Sequence, residues 1–239
     1  MINDDPSGEL LRAAARNNAL WCDAVCRTHG LRPSFSAEAW TSSARTPPLY
    51  PDAVTLAPTS TVEAVRAGID TAVPGCSVKD SFAALDLAPA GFEVLFEASW
   101  IHRARGSALP APGRRLEWSE VATAGELDAW EAAWSGEGAG GLFRPALLDQ
   151  DLVFLAGRAA GRVVAGAVAS AGGGVVGVSN LFAADDADTD ETWAAVLAAA
   201  DARWPALPVV GYEAGDDLAA ALRAGFAPLG RLRVWLHTA

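Results

Sequence analysis

The sequence predicts an α/β protein: a mixed, mostly antiparallel sheet with one parallel strand pair, flanked by helices and preceded by a further α/β half. Three observations predict it. Residues 163–184 read VVAGAVASAGGGVVGVSNLFAA, long enough to cross a bilayer as one helix. The Gly172–Gly174 cluster would disorder a helix at its centre, and the valine-rich halves suit two buried strands joined by a turn. Beyond them come an acidic loop, an amphipathic helix and another apolar strand, a βαβ unit whose strands run parallel with a right-handed crossover. Finally, 51% of the 239 residues are hydrophobic, enough to fill the core of one large domain or two smaller ones.

The charge balance narrows the partners. Eighteen basic against 29 acidic side chains give a net charge of −11, a field that disfavours non-specific binding to nucleic acid or anionic membranes. Lys79 is the sole lysine. Three cysteines, Cys22, Cys26 and Cys76, are an odd count. With an acidic start lacking a basic segment followed by an apolar one, they predict a cytoplasmic protein with reduced thiols.

The N-terminal half opens with a helix over Gly8 to His29. Leu11, Ala15, Cys22, Cys26 and His29 share one face, Leu10, Trp21 and Val25 widen it, and Gly30 supplies a left-handed stop. Residues 31–51 are rich in Pro, Ser and Thr and read as irregular chain pinned by Phe35, Trp40, Leu49 and Tyr50. A short strand over Asp52 to Leu56 leads to a capping box, Ser60 with Glu63, and a helix to about Ala72. Two strands follow, Cys76 to Leu87 and Phe92 to Arg103. In the second, Phe92, Val94, Phe96, Trp100 and His102 alternate onto one half-buried face, against Glu93, Glu97 and Arg103. Gly106 to Gly113, with two prolines and two glycines, is the candidate boundary, giving regions 1–113 and 114–239.

In the C-terminal half, Arg115 to Val121 reads as a strand. Thr123 and Glu126 form a capping box for a helix with Leu127, Trp130 and Trp134 on its apolar side. Ser135 to Asp151 is a glycine-containing loop. A strand from Leu152 to Ala156 turns through Gly157 to Gly161 into the two central strands as a meander. The helix beginning near Asp188–Glu191 carries Trp193, Val196, Leu197, Ala200 and Trp204 on one side and stops at Pro205. Leu207 to Tyr212 is the next strand, Asp216 and Asp217 open a short helix ended by Gly225, and Leu229 to Leu236 alternates as a final strand.

That order of elements resembles the core of the GNAT (N-acetyltransferase) superfamily over roughly residues 114–236. The hairpin Arg158-Ala-Ala-Gly161-Arg-Val-Val-Ala-Gly166, the helix end Ala221-Leu-Arg-Ala-Gly225-Phe226 and the final strand Pro228 to Trp235 carry it. The resemblance implies that the parallel strands splay apart and hold acetyl-CoA as cosubstrate, with the pyrophosphate on a glycine-rich loop at the crossover-helix N-terminus, where free N–H groups and the dipole attract anions. It implies acyl transfer to a small-molecule or peptide amine, and Val178, Ser179, Asn180, Leu181 and Phe182 as the residues lining the acyl-donor cleft. A decayed second copy in residues 1–113 is an open reading, although no alignable repeat is visible.

The loop departs from the family pattern. It has no Gly, Arg or Gln and presents Asp185, Asp186, Asp188, Asp190 and Glu191 instead. Acidic groups at a helix start are individually stabilising by about 0.3–1 kcal/mol, yet they repel phosphate. The helix after the second parallel strand also lacks the tyrosine that family members use to protonate the thiolate. Glu213, at a strand end where α/β sheets place ligands, is the candidate general base, and Tyr212 the displaced candidate acid. Two readings therefore stand: a GNAT-type N-acyltransferase, or a degenerate GNAT-fold binding or interaction protein without CoA-dependent activity. Cys22, Cys26 and His29 have zinc-ligand chemistry but no second ligand segment, so core packing is expected and no metal. Neither a hydrolase motif nor a calcium-loop spacing is present. Oligomeric state is not encoded in any visible pattern.

Overall fold

The computed structural model describes residues 6–113, 115–136, 140–184 and 187–238. Chain contacts divide it into two compact units, Met1–Trp100 with Leu229–Ala239, and Ile101–Pro228.

In the first unit, α1 (Pro6–Thr28) buries Ala14, Ala15, Ala19, Cys22, Val25 and Cys26. Gly30, at φ 80°, lets the Leu31 N–H return to the Cys26 carbonyl at 3.1 Å, the left-handed stop that its position predicts. The strands β1 (Ser34–Phe35), β2 (Ala39–Thr41) and β3 (Ala53–Thr55) form an antiparallel meander. After α2 (Val62–Arg66), β4 (Ser77–Asp80) lies parallel to β3. β11 (Ala227–His237) is antiparallel to β4, and β5 (Phe92–Arg103) follows it in the sheet order. Val65, Ile69, Cys76, Val78, Leu87, Phe92 and Trp235 make the core.

Three local expectations change here. The helix expected from Ser60 is capped by Thr61, whose side chain accepts from Ala64 N. The Ser60 hydroxyl is committed to the Glu38 carbonyl at 2.6 Å. The strand expected to run to Leu87 stops at Asp80, whose carboxylate captures the N–H groups of Phe82 and Leu85 and turns the chain. Along β5, Val94 and Phe96 of the expected half-buried face are exposed, as is Leu95, while Glu97 holds Arg231 at 2.9 Å and Arg233 at 2.6 Å.

In the second unit the sheet order is β10-β9-β8-β7-β6, with β6 (Glu117–Glu120), β7 (Leu152–Ala159), β8 (Arg162–Gly172), β9 (Val175–Ala183) and β10 (Val209–Glu213). The apolar stretch 163–184 is thus a hairpin: Gly173 and Gly174, at φ 63° and 84°, turn β8 into β9. Among the described residues no helix is long and apolar enough to cross a membrane. α3 (Ala124–Ser135) has the capping box its sequence predicts, with Glu126 accepting from Thr123 N and Thr123 Oγ1 from Glu126 N. Trp130 of α3 packs edge-on to Phe154 and Phe182 and donates to the Leu155 carbonyl at 2.9 Å. This places its indole directly over Gly166, where any Cβ would overlap it. Residues 137–139 of the glycine-containing loop lie outside the described residues. Beyond them the buried Glu131 accepts from Leu142 N and Phe143 N, tying the chain back to α3.

The sheet's other layer is α4 (Thr189–Arg203) with α5 (Gly215–Arg223). Trp193, Val196, Leu197 and Ala200 of α4, Ala220 and Ala221 of α5, and Phe226 pack with Val153, Leu155, Val176, Val178 and Val209 of the strands. This mostly antiparallel sheet with its parallel β9–β10 pair is the predicted architecture.

Candidate active site

The site is built where the two parallel strands stop pairing. β9 and β10 share only two residue pairs, Val209↔Val176 and Val210↔Gly177, although β9 runs to Ala183 and β10 to Glu213. Two features end the ladder. Gly211 lies where a Cβ would sit 3.3 Å from the Val178 carbonyl oxygen, so its bare backbone permits the last close approach. On the far edge of β9 the register against β8 jumps from Gly166↔Phe182 to Val168↔Ser179. Asn180 and Leu181 therefore stand opposite the single residue Ala167, one residue in excess, and Asn180 adopts φ 52°. Asparagine tolerates that left-handed conformation better than most residues, and the resulting bulge bends the strand away from its neighbour.

The sequence-predicted lining residues meet here. Val178 is buried, and Ser179, Asn180, Leu181 and Phe182 are half-buried. Phe182 is engaged by Trp130 at 5.2 Å between ring centres, and Leu181 packs on the core cluster of the unit. With those two side chains turned to protein, the strand offers a ligand mainly its backbone groups and the polar side chains of Ser179 and Asn180.

Tyr212 and Glu213 end β10, both half-buried. As neighbours on a strand they point to opposite faces, Glu213 to the face of Val209 that packs on α4 and α5. Burial, and then the Asp217 carboxylate in the first turn of α5, push the Glu213 pKa up from 4.5 to about 8. A carboxyl with that proton affinity exchanges protons near neutrality, as a general base for an amine requires.

At the N-terminus of α4 the structure adds what the sequence left out. Asp185 and Asp186 lie outside the described residues. Asp188 caps the helix, its Oδ1 accepting from Asp190 N at 2.9 Å. The capping spacing predicts that Glu191 returns to Asp188, but Glu191 is buried and instead accepts from Arg115 N at 3.2 Å and Leu116 N at 3.1 Å. The chain at Gly113 passes so close to the Glu191 side chain that no Cβ fits. Beside this contact a cleft of about 420 Å³ is lined by Pro110, Ala111, Arg115, Asp190 and Arg223 among others. Arg223 grips Asp190 with a fork of hydrogen bonds, 2.8 Å from Nη2 and 3.1 Å from Nε. Two arginines from remote segments thus stand at a helix start whose own loop has none. Only the basic end of α5 hinted at them, because the pairing depends on how α5 crosses α4.

Cys22, Cys26 and His29 do not form a centre. Both thiols are fully buried, burial pushes their pKa values up to about 11 and about 12, and no metal-binding group occurs among the described residues.

No family model matches the chain, and no curated protein matches it in sequence. Solved structures do match its fold. A GCN5-related N-acetyltransferase from Kribbella flavida superposes with a TM-score of 0.64 at 17% identity, covering 90% of this chain and 94% of its own. A protein of Novosphingobium aromaticivorans assigned to the GNAT family gives 0.60 at 13% identity, covering 95% and 99%. A GCN5-related N-acetyltransferase from Sphaerobacter thermophilus gives 0.51 at 11% identity, covering 72% and 62%. The chain has the GNAT fold, and the likeness extends well beyond the 114–236 segment in which the sequence shows it.

Proposed function

We propose that the protein is a GNAT-type N-acyltransferase moving an acetyl or other acyl group from acyl-CoA to the amine of a small molecule or peptide. The observation carrying this reading is the parted β9–β10 pair, bulged at Asn180 and ended by the proton-exchanging Glu213. The acyl-pantetheine arm fits along 178–182, held by the β10-facing backbone groups of β9 and polarised at its thioester carbonyl by the same donors. Glu213 takes the proton as the amine nitrogen attacks that carbonyl. The C–S bond then breaks, and Tyr212 or water protonates the departing thiolate, giving amide and free CoA. Arg115 and Arg223 are the groups available to the CoA phosphates. Rates limited by Glu213 as base rise with pH through about 8.

A second reading, a GNAT-fold binding or interaction protein without CoA-dependent activity, is favoured by one observation. The first turn of α4 is already occupied by its own chain, through Asp188, Glu191 and the backbone N–H groups of Arg115 and Leu116. A thermal shift with acetyl-CoA separates the two. Ligand at about 100 times Kd stabilises by about 2.7 kcal/mol, a rise of about 5–11 °C for a chain of this size. No shift with acetyl-CoA or CoA at millimolar concentration leaves the second reading standing.

A further inference from the structure

The order of elements in the second unit is repeated in the first. In the first unit α1 precedes the antiparallel meander β1–β3, the crossover helix α2 and the parallel strand β4. In the second, α3 precedes the meander β7–β9, the crossover helix α4 and the parallel strand β10. The parallel ladder is two residue pairs long in both: Ala53↔Val78 with Val54↔Lys79, and Val209↔Val176 with Val210↔Gly177. A carboxylate ends both parallel strands, Asp80 on β4 and Glu213 on β10. Antiparallel meanders are common; a meander followed by a crossover, an equally short parallel ladder and a terminal carboxylate is far more specific.

The two copies differ at the point where the second unit opens. β3 carries no positive-φ residue to match Asn180, and Ala53, Val54 and Thr55 are wholly buried. Asp80 is 1% exposed. Its Oδ2 accepts from Leu85 N at 2.8 Å and its Oδ1 from Phe82 N at 3.3 Å. Thr55, the last residue of β3, accepts from Ser81 N at 2.8 Å. Residues 81–85 are thereby tied across the ends of β3 and β4, and a short turn at Ala88–Ala90 follows where the second unit has α5. Glu213 makes no such ties among the described residues, and its chain leads straight into the helix.

We infer that the first unit is a second copy of the second unit's arrangement whose strand cleft is latched shut by Asp80 and Thr55, so that each chain offers one acyl-donor site, in the second unit. Only the identity of the ligand rests on the acyltransferase reading; the latch stands on the geometry of the free protein.

Titration calorimetry with acetyl-CoA and residue-resolved hydrogen exchange test it together. The expected result is one acetyl-CoA per chain, new protection at 178–183, 209–217 and the start of α4 with none at 55–61 or 81–85, and amides of Ser81, Phe82 and Leu85 already protected without ligand. Asp80→Asn speeds exchange at Phe82 and Leu85 about tenfold, the cost of weakening one buried bond to a charged acceptor. Should that variant fail to fold, Thr55→Val gives the same readout at Ser81. Two equivalents bound, or ligand-induced protection at 55–61 and 81–85, overturns the inference. If acetyl-CoA has no effect anywhere, the acyltransferase reading falls. The latch is then judged on the free protein, supported by protected amides that the variants release and overturned by amides that exchange as fast as in an unfolded chain.

Discussion

Replacing Glu213 with Gln exposes the energetic consequence of a carboxyl buried at a strand end. The folded-state pKa lies at about 8, against 4.5 for an ordinary glutamate, because burial and then Asp217 oppose the charged form. Between those two values the folded protein binds a proton that the unfolded chain has released, so stability falls as pH rises. The contribution is fully present below about 4.5 and is lost as pH climbs through about 8. At about 1.4 kcal/mol per tenfold change in proton affinity, the whole span corresponds to about 5 kcal/mol. The side chain is half-buried rather than sealed, and solvent screening brings the expected figure to about 2–4 kcal/mol. Glutamine is neutral throughout and imitates the protonated form. Urea unfolding of wild type and Glu213→Gln at pH 5, 7 and 9 gives the difference directly, since other groups titrate alike in both proteins and cancel. The variant gains on wild type by about 2–4 kcal/mol from pH 5 to pH 9, with unchanged m-value. A difference that stays flat within about 0.5 kcal/mol refutes the burial argument, and with it the case for Glu213 as a base tuned to neutral pH.

Gly166→Ala sets a methyl about 2.7 Å from the Leu155 carbonyl oxygen and from the Phe182 ring, and against the Trp130 indole. It lowers stability by about 2–3 kcal/mol in urea unfolding, and a loss under 0.5 kcal/mol shows the ring cluster to be loosely packed. A thiol reagent at pH 8 labels none of Cys22, Cys26 and Cys76 in the native protein, because all three are buried and their pKa values lie higher; rapid native labelling contradicts that burial. Asp190→Asn releases Arg223 from its fork and removes one negative charge from the α4 cleft. CoA affinity rises about three- to tenfold at low salt, with a steeper salt dependence, and an unchanged affinity in calorimetry excludes Arg223 from phosphate binding.

Much of this fold was legible because its signals are local. The valine runs either side of Gly172–Gly174, the i, i+3, i+4 spacing in α4 and the capping box at Thr123 each act within a few residues, and the structure contains all three. Glu213 could be singled out by its place at a strand end, but its altered proton affinity depends on helices packing over it. The failures were non-local. Ser60 lost its capping role to a carbonyl far away in sequence, Glu38 O, in the bend before β2. The run from Cys76 was cut at Asp80 by bonds that close only after the chain has turned back. Capping spacing at Asp188–Glu191 correctly marked a helix start, yet Glu191 serves the backbone of Arg115 and Leu116, far away in sequence.

The acidic helix start therefore carries less repulsion than its composition implies. Composition counts Asp188, Asp190 and Glu191 as free negative charges beside a would-be phosphate. In the structure Glu191 is spent on two backbone N–H groups and Asp190 on the Arg223 guanidinium, while Arg115 lines the same cleft. A forked arginine–carboxylate pair is close to neutral at a distance, and its guanidinium can turn to a phosphate, which presents oxygens in matching geometry. An incoming anion thus meets an exchangeable pair, and affinity is set by the difference between two arginine partners rather than by bare repulsion. The same exchange makes the site salt-sensitive, because ions screen both the pair and its competitor within about 10 Å at 0.1 M. In the proposed acyltransferase the CoA phosphates compete with Asp190 for Arg223, a contact set by how α5 crosses α4.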